Sequence, residues 1–287
     1  MDNRPLEPAS AGVEALAGYI HRWGLTARGE GFETNSSWLQ RVRAPQPAVL
    51  KIAKPDSDER PGMALLDWWQ GQGAVTVLRK GDDAILMVEA FENPALGDLE
   101  QIKDQAAFEI LVETAASLHR RRIEPGLMPE GLVPLTAVRE HVFTLAAVGE
   151  SCFDRWRSFA QSLNLMGSNP EPLHGDIHHG NVLRDGVSGD WVVIDPKGLF
   201  GHLAYDFANL FFNPMDQPGR VAQPERMAWL ADFIASRVPG IKGRDAVLDF
   251  AYLYGGMSLL WGWQDDWAPQ RLRQFQMLET LRDQTLE

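Results

Sequence analysis

The segment His174-Gly175-Asp176-Ile177-His178-His179-Gly180-Asn181, followed by the strand-like Trp191-Val192-Val193-Ile194-Asp195, sets an Asp, an Asn and a second Asp at a spacing with a definite chemical use. Phosphoryl transfer asks little covalent work of a protein. One carboxylate orients the acceptor hydroxyl, while an Asn and another Asp hold magnesium against the phosphates, so catalysis is positioning and charge neutralisation. Oxygen ligands of this kind suit magnesium. The kinase loop pattern, His-Arg-Asp with Asn after four more residues, is met by His174, Asp176 and Asn181, with Gly175 replacing the Arg. Asp195 opens Asp195-Pro196-Lys197-Gly198 instead of Asp-Phe-Gly, so the carboxylate is kept and the Phe-based switch is not. His178, two residues after Asp176, occupies the place where protein kinases carry a lysine close to the transferred phosphate, and its imidazole could donate a hydrogen bond there.

Such a loop needs a nucleotide site opposite it, with a strand lysine and a carboxylate from the next helix. Lys51 is the only charge in the apolar run Ala48-Val49-Leu50-Lys51-Ile52. Glu59, just before a predicted helix from Gly62 to Gln70, is the pairing candidate, with Asp56, Asp58 and Asp67 competing. The stretch Glu30 to Ser37 lacks the G-x-G-x-x-G pattern, yet Ser36 and Ser37 could offer hydroxyl and N–H groups to phosphate oxygens, or form an ordinary polar turn. Glu89 and Ala90 fall where a lobe connector would meet the edge of adenine. His174 is expected to order the loop, and Asp206 to reach back to its backbone or to cap a helix.

The elements that must carry these residues are legible in outline. An amphipathic helix is predicted from Ala9 to Arg22 with Gly24 near its end, then strands Ser37 to Val42 and Ala48 to Ile52 about a Pro-rich turn. Further strands are predicted at Ala74 to Leu78 and Ala84 to Val88, around Gly81-Asp82-Asp83. From Gln105 to Arg122 apolar residues recur at helical spacing, with later helices at Ser151 to Leu163, Tyr205 to Phe211, Pro224 to Ser236, Arg244 to Leu260 and Pro269 to Leu286. Strands with one helix, then mostly helices, predict a two-lobed α+β plan: residues 1–90 a nucleotide-binding lobe, residues 91–287 a helical catalytic and acceptor-binding lobe.

Bulk properties narrow the partners. With 27 Lys and Arg against 39 Asp and Glu the net charge is −12, which disfavours nucleic acid and permits a cationic small molecule. No run approaches a membrane span, the polar Met1 to Glu7 segment carries no secretory pattern, and Cys152 is the single cysteine. A cytoplasmic protein, monomer or weak dimer, is the expectation.

On Leu173 to Leu183, on Val193 to Gly201, on Asp206-Phe207-Ala208-Asn209-Leu210 and on Asn213-Pro214, the chain resembles the aminoglycoside phosphotransferase family, especially its streptomycin 6-phosphotransferase and hydroxyurea phosphotransferase branch. The resemblance implies a bilobal protein-kinase-like fold and ATP- and Mg2+-dependent phosphorylation of a hydroxyl on an aminoglycoside, streptomycin above all, with antibiotic resistance as the consequence. It implies Asp176 as catalytic base, Asn181 and Asp195 as magnesium ligands, and Lys51 as the nucleotide-phosphate contact. The acceptor would meet Tyr252, Tyr254, Trp261, Trp263 and Trp267 with the carboxylates Asp265 and Asp266, although the Trp residues read better as packed inside a terminal helix pair and Asp265 and Asp266 fit either reading. Two other classes stay open: a metal hydrolase built on His174, Asp176, His178 and His179, and a kinase-shaped binding module without catalysis.

Overall fold

A computed structural model describes residues 4–8, 10–98, 102–120 and 128–284. Its first part is a seven-stranded antiparallel sheet centred on Ser37–Arg43, Pro47–Ala53 and Ala84–Val88. Register sets Lys51 opposite Leu39 on one side and Ile85 on the other. Side chains alternate across a strand, so Lys51 points to the opposite face from Leu50 and Ile52. Leu50 and Ile52 pack with Leu16 and Tyr19 of the helix Ala11–Trp23, which ends at Gly24 in the left-handed region, φ 65°. Lys51 is thereby left facing inward, toward the helix Glu59–Trp69.

That second helix sits at the joint of the molecule. Its Met63, Leu65, Leu66 and Trp69 belong to one continuous apolar core with Ile177, Val193 and the helices beyond. Ordering so many apolar side chains in a single core couples the sheet to the helical part, because close-packed interiors transmit displacement. Gly62 is required here: a Cβ would lie 1.9 Å from the carbonyl oxygen of Pro196. Helix and Asp195-Pro196-Lys197-Gly198 turn are therefore in direct backbone contact.

The remainder is helical, with Asp104–Leu118, Pro224–Arg237, Gly243–Trp261 and Ala268–Asp283 gathered round the fully buried Leu203–Phe212 segment. Short strands interrupt it where the chemistry sits. Val182–Asp185 pairs antiparallel with Trp191–Val193 and, on its other side, with Ala90–Phe91. Among the described residues no helix is long and apolar enough to cross a membrane.

Several expectations shift. The strand expected at Ala74 begins at Val77, because Gly73 and Val75 exchange backbone hydrogen bonds of 2.9 Å with Val193 instead of joining the sheet. Tyr205 to Phe211 is a 3-10 helix rather than an α-helix. The helix Leu135–Val142 was not predicted, its apolar residues being too few to show a period. The predicted ends at Ala9, Arg122 and Leu286 lie outside the described residues.

Candidate active site

The hairpin of Val182–Asp185 with Trp191–Val193 brings together the two residues that flank it. Val182 is in register with Val193, and the Ile194 N–H donates to the Asn181 carbonyl at 2.9 Å, so Asn181 and Asp195 become neighbours. Asp195 adopts φ 62°, a left-handed conformation uncommon for a residue with a side chain.

Asp206 fixes the loop before it. Its carboxylate accepts the backbone N–H groups of His174 at 3.0 Å and Gly175 at 2.7 Å, and also meets His119 Nε2 at 2.9 Å. Glu171 holds the other nitrogen of His119 at 3.0 Å. Burial opposes charge on His119, but the hydrogen bonds to Asp206 and Glu171 outweigh it and raise its pKa to about 9. His174 is the opposite case. Its Nδ1 accepts from the Asp176 N–H and its Nε2 donates to the Ile194 carbonyl at 2.8 Å, and burial pulls its pKa down, so it orders the loop as a neutral ring.

Asp176 stands clear of this clamp. One carboxylate oxygen accepts from Asn209 Nδ2 at 2.9 Å, and the other lies 3.7 Å from Lys197 Nζ. Asn181 donates through Nδ2 to the Asp176 carbonyl at 2.9 Å, while its Oδ1 is buried without a partner. A buried acceptor with no donor costs on the order of 1–3 kcal/mol, which a cation at that point would relieve. Asn181 Oδ1 and the Asp195 carboxylate form a hard, all-oxygen pair of the kind that binds Mg2+ through few protein groups plus substrate phosphates. The donor set fits that ion.

Lys51 pairs with Glu59 at 2.5 Å and with Asp195, all three largely buried. Burial opposes the lysine charge, yet the two carboxylates prevail and its pKa rises; Asp195, also opposed by burial, is held low by Lys51. Glu59 is thus the partner, and Ser36 Oγ donates to its second oxygen. Asp67 pairs with Lys80 instead, and Asp56 and Asp58 are exposed.

Ser37, Glu89 and Ala90 are not brought to this site. Ser37 starts the sheet strand and is fully buried, its hydroxyl without a partner, so it offers no surface to a phosphate. The Glu89 carboxylate pairs with Arg28 at 2.6 Å and Arg41 at 3.2 Å, its N–H donates to the Pro47 carbonyl, and its own carbonyl accepts from Gly186. Ala90 pairs in register with Asp185. These backbone groups serve the joint between the sheet and the helical part.

Two clefts meet at Asp176. One, of about 450 Å³, is lined by His178, Asn213, Asp265, Trp267 and Arg271; the other, of about 770 Å³, by Arg60, Pro61, Val138, His141 and Lys197. Tyr254 and Trp261 line both. Asp265 therefore joins the site, whereas Asp266 is exposed and lines neither cleft. Tyr252 bonds Glu279 at 2.5 Å and Trp263 packs on Phe153, so they belong to the core. Arg271, missed in the sequence, donates to the Phe212 carbonyl at 3.0 Å between the rings of Phe212 and Trp267. Its separation from Asp176 by most of the helical part left no spacing signal.

The histidines do not make a metal centre. Gly180 N–H donates to His178 Nδ1 at 3.0 Å, leaving Nε2 as the donor on a ring whose pKa burial lowers. His179 lies edge-on to Phe108, both nitrogens unpartnered, with its pKa driven down to about 3 by burial and then Arg226. Among the described residues no three His, Cys, Asp or Glu side chains converge as ligands.

Comparison with known proteins supplies the family. A family model described as aminoglycoside/hydroxyurea antibiotic resistance kinase matches residues 22–266. The chain is 42% identical over 207 residues to streptomycin 3''-kinase of Klebsiella pneumoniae, covering 70% of this chain and 74% of that protein. It is 27% identical over 212 residues to streptomycin 6-kinase of Streptomyces glaucescens, covering 70% and 68%. A putative aminoglycoside phosphotransferase from Ralstonia eutropha superposes with a TM-score of 0.63 at 13% identity, over 93% of this chain and 98% of that one. The two-lobed α+β architecture is accordingly that of protein-kinase-like phosphotransferases. An Asp–Asn–Asp site on this fold, matched by a family model over most of the sequence, places the chain in the aminoglycoside phosphotransferase family, as an enzyme that transfers a phosphoryl group to a hydroxyl.

Proposed function

We propose that the enzyme phosphorylates streptomycin, with ATP as donor and Mg2+ as the ion, and so confers resistance to it. The observation that carries this reading is the placement of Asp176 at the meeting of two clefts, with Asp265, Trp261 and Tyr254 on the acceptor side. A carboxylate beside aromatic faces suits a guanidinium-bearing sugar, by charge-assisted hydrogen bonding and cation–π contact. Both curated relatives are streptomycin kinases by name. Of the two positions, the 3''-hydroxyl is favoured over the 6-hydroxyl that the branch resemblance implied, since the 3''-kinase shares 42% of aligned residues and the 6-kinase 27%.

In this reading residues 1–90 hold the donor and residues 91–287 the acceptor. Lys51, held straight by Glu59, meets the nucleotide phosphates; Ser36 steadies Glu59. Asn181 Oδ1 and Asp195 would hold Mg2+, which would neutralise phosphate charge. Asp176, oriented by Asn209, takes the hydroxyl proton, and His178 offers its Nε2–H to an oxygen at the same cleft. Release of the Lys51–Asp195 ion pair as the nucleotide enters frees both groups for these partners. The working enzyme is taken as a monomer or weak dimer of the reducing cytoplasm, with Cys152 unpaired and exposed.

The test is to incubate the purified protein with Mg·ATP and streptomycin and to assign the phosphate by mass spectrometry and NMR. A 3''-phosphate is expected; a 6-phosphate reverses the positional choice, and turnover only with another acceptor ends the streptomycin assignment.

A further inference from the structure

We propose that Lys197 is a catalytic residue that contacts the phosphoryl group in transit, supplying from the Asp195-Pro196-Lys197-Gly198 turn the positive charge that the catalytic loop itself lacks. The inference rests on Asp176 being the base and on streptomycin serving as acceptor.

Its grounds are geometric. Lys197 Nζ lies 3.7 Å from the free oxygen of Asp176, and among the described residues no other cationic side chain pairs with that carboxylate. Lys51 is paired with Glu59 and, in the reading above, serves the nucleotide phosphates. His178 accepts a backbone N–H at Nδ1, and a ring that accepts there is neutral, so it brings a hydrogen-bond donor and no charge. Among the described residues, Arg271 is held by the Phe212 carbonyl and Arg60 makes no ion pair with Asp176, so Lys197 is the cation set against its free oxygen.

The backbone at this residue is held while its side chain is free. The Lys197 N–H donates to the His174 carbonyl at 2.7 Å, tying the turn to the catalytic loop. On one side the Pro196 carbonyl abuts Gly62, and on the other Gly198, at φ 68°, lies so close to Pro61 that a Cβ would be 2.4 Å from its carbonyl carbon. Yet the Lys197 side chain is 53% exposed, inside the cleft it shares with Asp176. An exposed pair at that separation binds weakly, so the ammonium can turn from Asp176 toward a phosphate of higher charge. A fixed backbone carrying a free cation is a positioned group with the reach to follow charge as it develops.

The step balances without another reactant. The acceptor oxygen bonds to the γ-phosphorus as the bond from that phosphorus to the β–γ bridging oxygen breaks, and the electron pair leaves on ADP. The acceptor proton passes to the Asp176 carboxylate. Lys197 neutralises the equatorial oxygens of the transferring group and gives up no proton.

The experiment compares wild type, Lys197→Met, Lys197→Arg and Arg60→Ala with Mg·ATP and streptomycin. Arg60, exposed on the same cleft, controls for the general positive field. Lys197→Met is expected to lower kcat about 100-fold while both KM values stay within about threefold, and Lys197→Arg to restore part of the rate. In calorimetry, Lys197→Met should lose most of the extra affinity of wild type for ADP with Mg2+ and tetrafluoroaluminate over ADP alone. Ligand-free melting temperatures should agree for all four proteins. An unchanged kcat for Lys197→Met, a loss confined to KM, or an equal loss in Arg60→Ala overturns the assignment. Absence of turnover in wild type is a different outcome, and sinks the streptomycin reading on which the inference rests.

Discussion

Around Asp176 almost every polar group is tied to another part of the chain, whereas a short distance away, at the cleft mouth, the side chains stand loose. Asp206 grips two backbone N–H groups and His119, Asn209 holds Asp176, and Lys51 bridges Glu59 and Asp195. By contrast Trp261 is 47% exposed and Met215 51% exposed, and among the described residues Asp265 makes only backbone hydrogen bonds within its own turn. Charge neutralisation in a transition state gains from groups that need little rearrangement, and Glu59, Asp206 and Asn209 hold Lys51, the loop backbone and Asp176 in place. Recognition of a ligand leaves partners open for the ligand to fill. Substitutions on the two sides should therefore divide between kcat and KM.

The largest effect expected is on Asp176. Asp176→Asn keeps the shape and the contact with Asn209 but cannot take a proton, and kcat should fall about 1000-fold with the melting temperature little changed. A fall confined to KM would erase the contrast between the two sides.

Next comes the clamp. Asp206 has no exposed side-chain surface and serves two backbone donors and a cationic ring. Asp206→Ala strips the two N–H groups and His119 Nε2 of their acceptor, leaving His119 to Glu171 alone, and should destabilise the protein by about 3 kcal/mol in urea unfolding as well as lowering kcat.

His119 makes the same clamp visible through pH. Its folded pKa of about 9 exceeds the ordinary value of 6.5, so the stability from its bound proton is complete below pH 6.5 and is lost as pH rises through 9. Unfolding free energy should decline over that interval in wild type and lose this decline in His119→Gln. His174, His178 and His179 have depressed values and act below pH 6.5, where acid must charge buried neutral rings, so the two windows separate.

The smallest effects belong to the open side. Asp265→Asn should raise the acceptor KM about tenfold with kcat nearly unchanged, worth about 1.4 kcal/mol. Asp266→Asn, outside both clefts, should match wild type. Equal effects from the two would remove Asp265 from the acceptor wall.

The same division governs what the sequence reveals. The strand Ala84–Val88, the lysine in its apolar run and the Asp176–Asn181–Asp195 spacing are local signals: the strand forms over its predicted residues, Lys51 lies inside Pro47–Ala53, and the Val182–Val193 register makes Asn181 and Asp195 neighbours. Glu59 is Lys51's partner, and the helix expected from Gly62 begins three residues earlier, at Glu59 itself. Ser37, Glu89 and Ala90 mislead because register buries Ser37 in the sheet, the Glu89 carboxylate pairs with Arg28, and Ala90 is set opposite Asp185. Lys197, Asn209 and Arg271 escape because their closeness to Asp176 or its cleft depends on how distant segments fold together. The short strands fail for the same reason: three residues carry too little periodicity to be read.

One assay reaches directly the role proposed for Asp176, acceptance of the streptomycin hydroxyl proton during ATP-dependent phosphorylation. Wild type and Asp176→Asn are given Mg·ATP and streptomycin, and phosphorylated product is quantified under single-turnover conditions. The account predicts stoichiometric streptomycin phosphate from wild type and a rate about 1000-fold slower from the variant. Equal rates in the two proteins would contradict it.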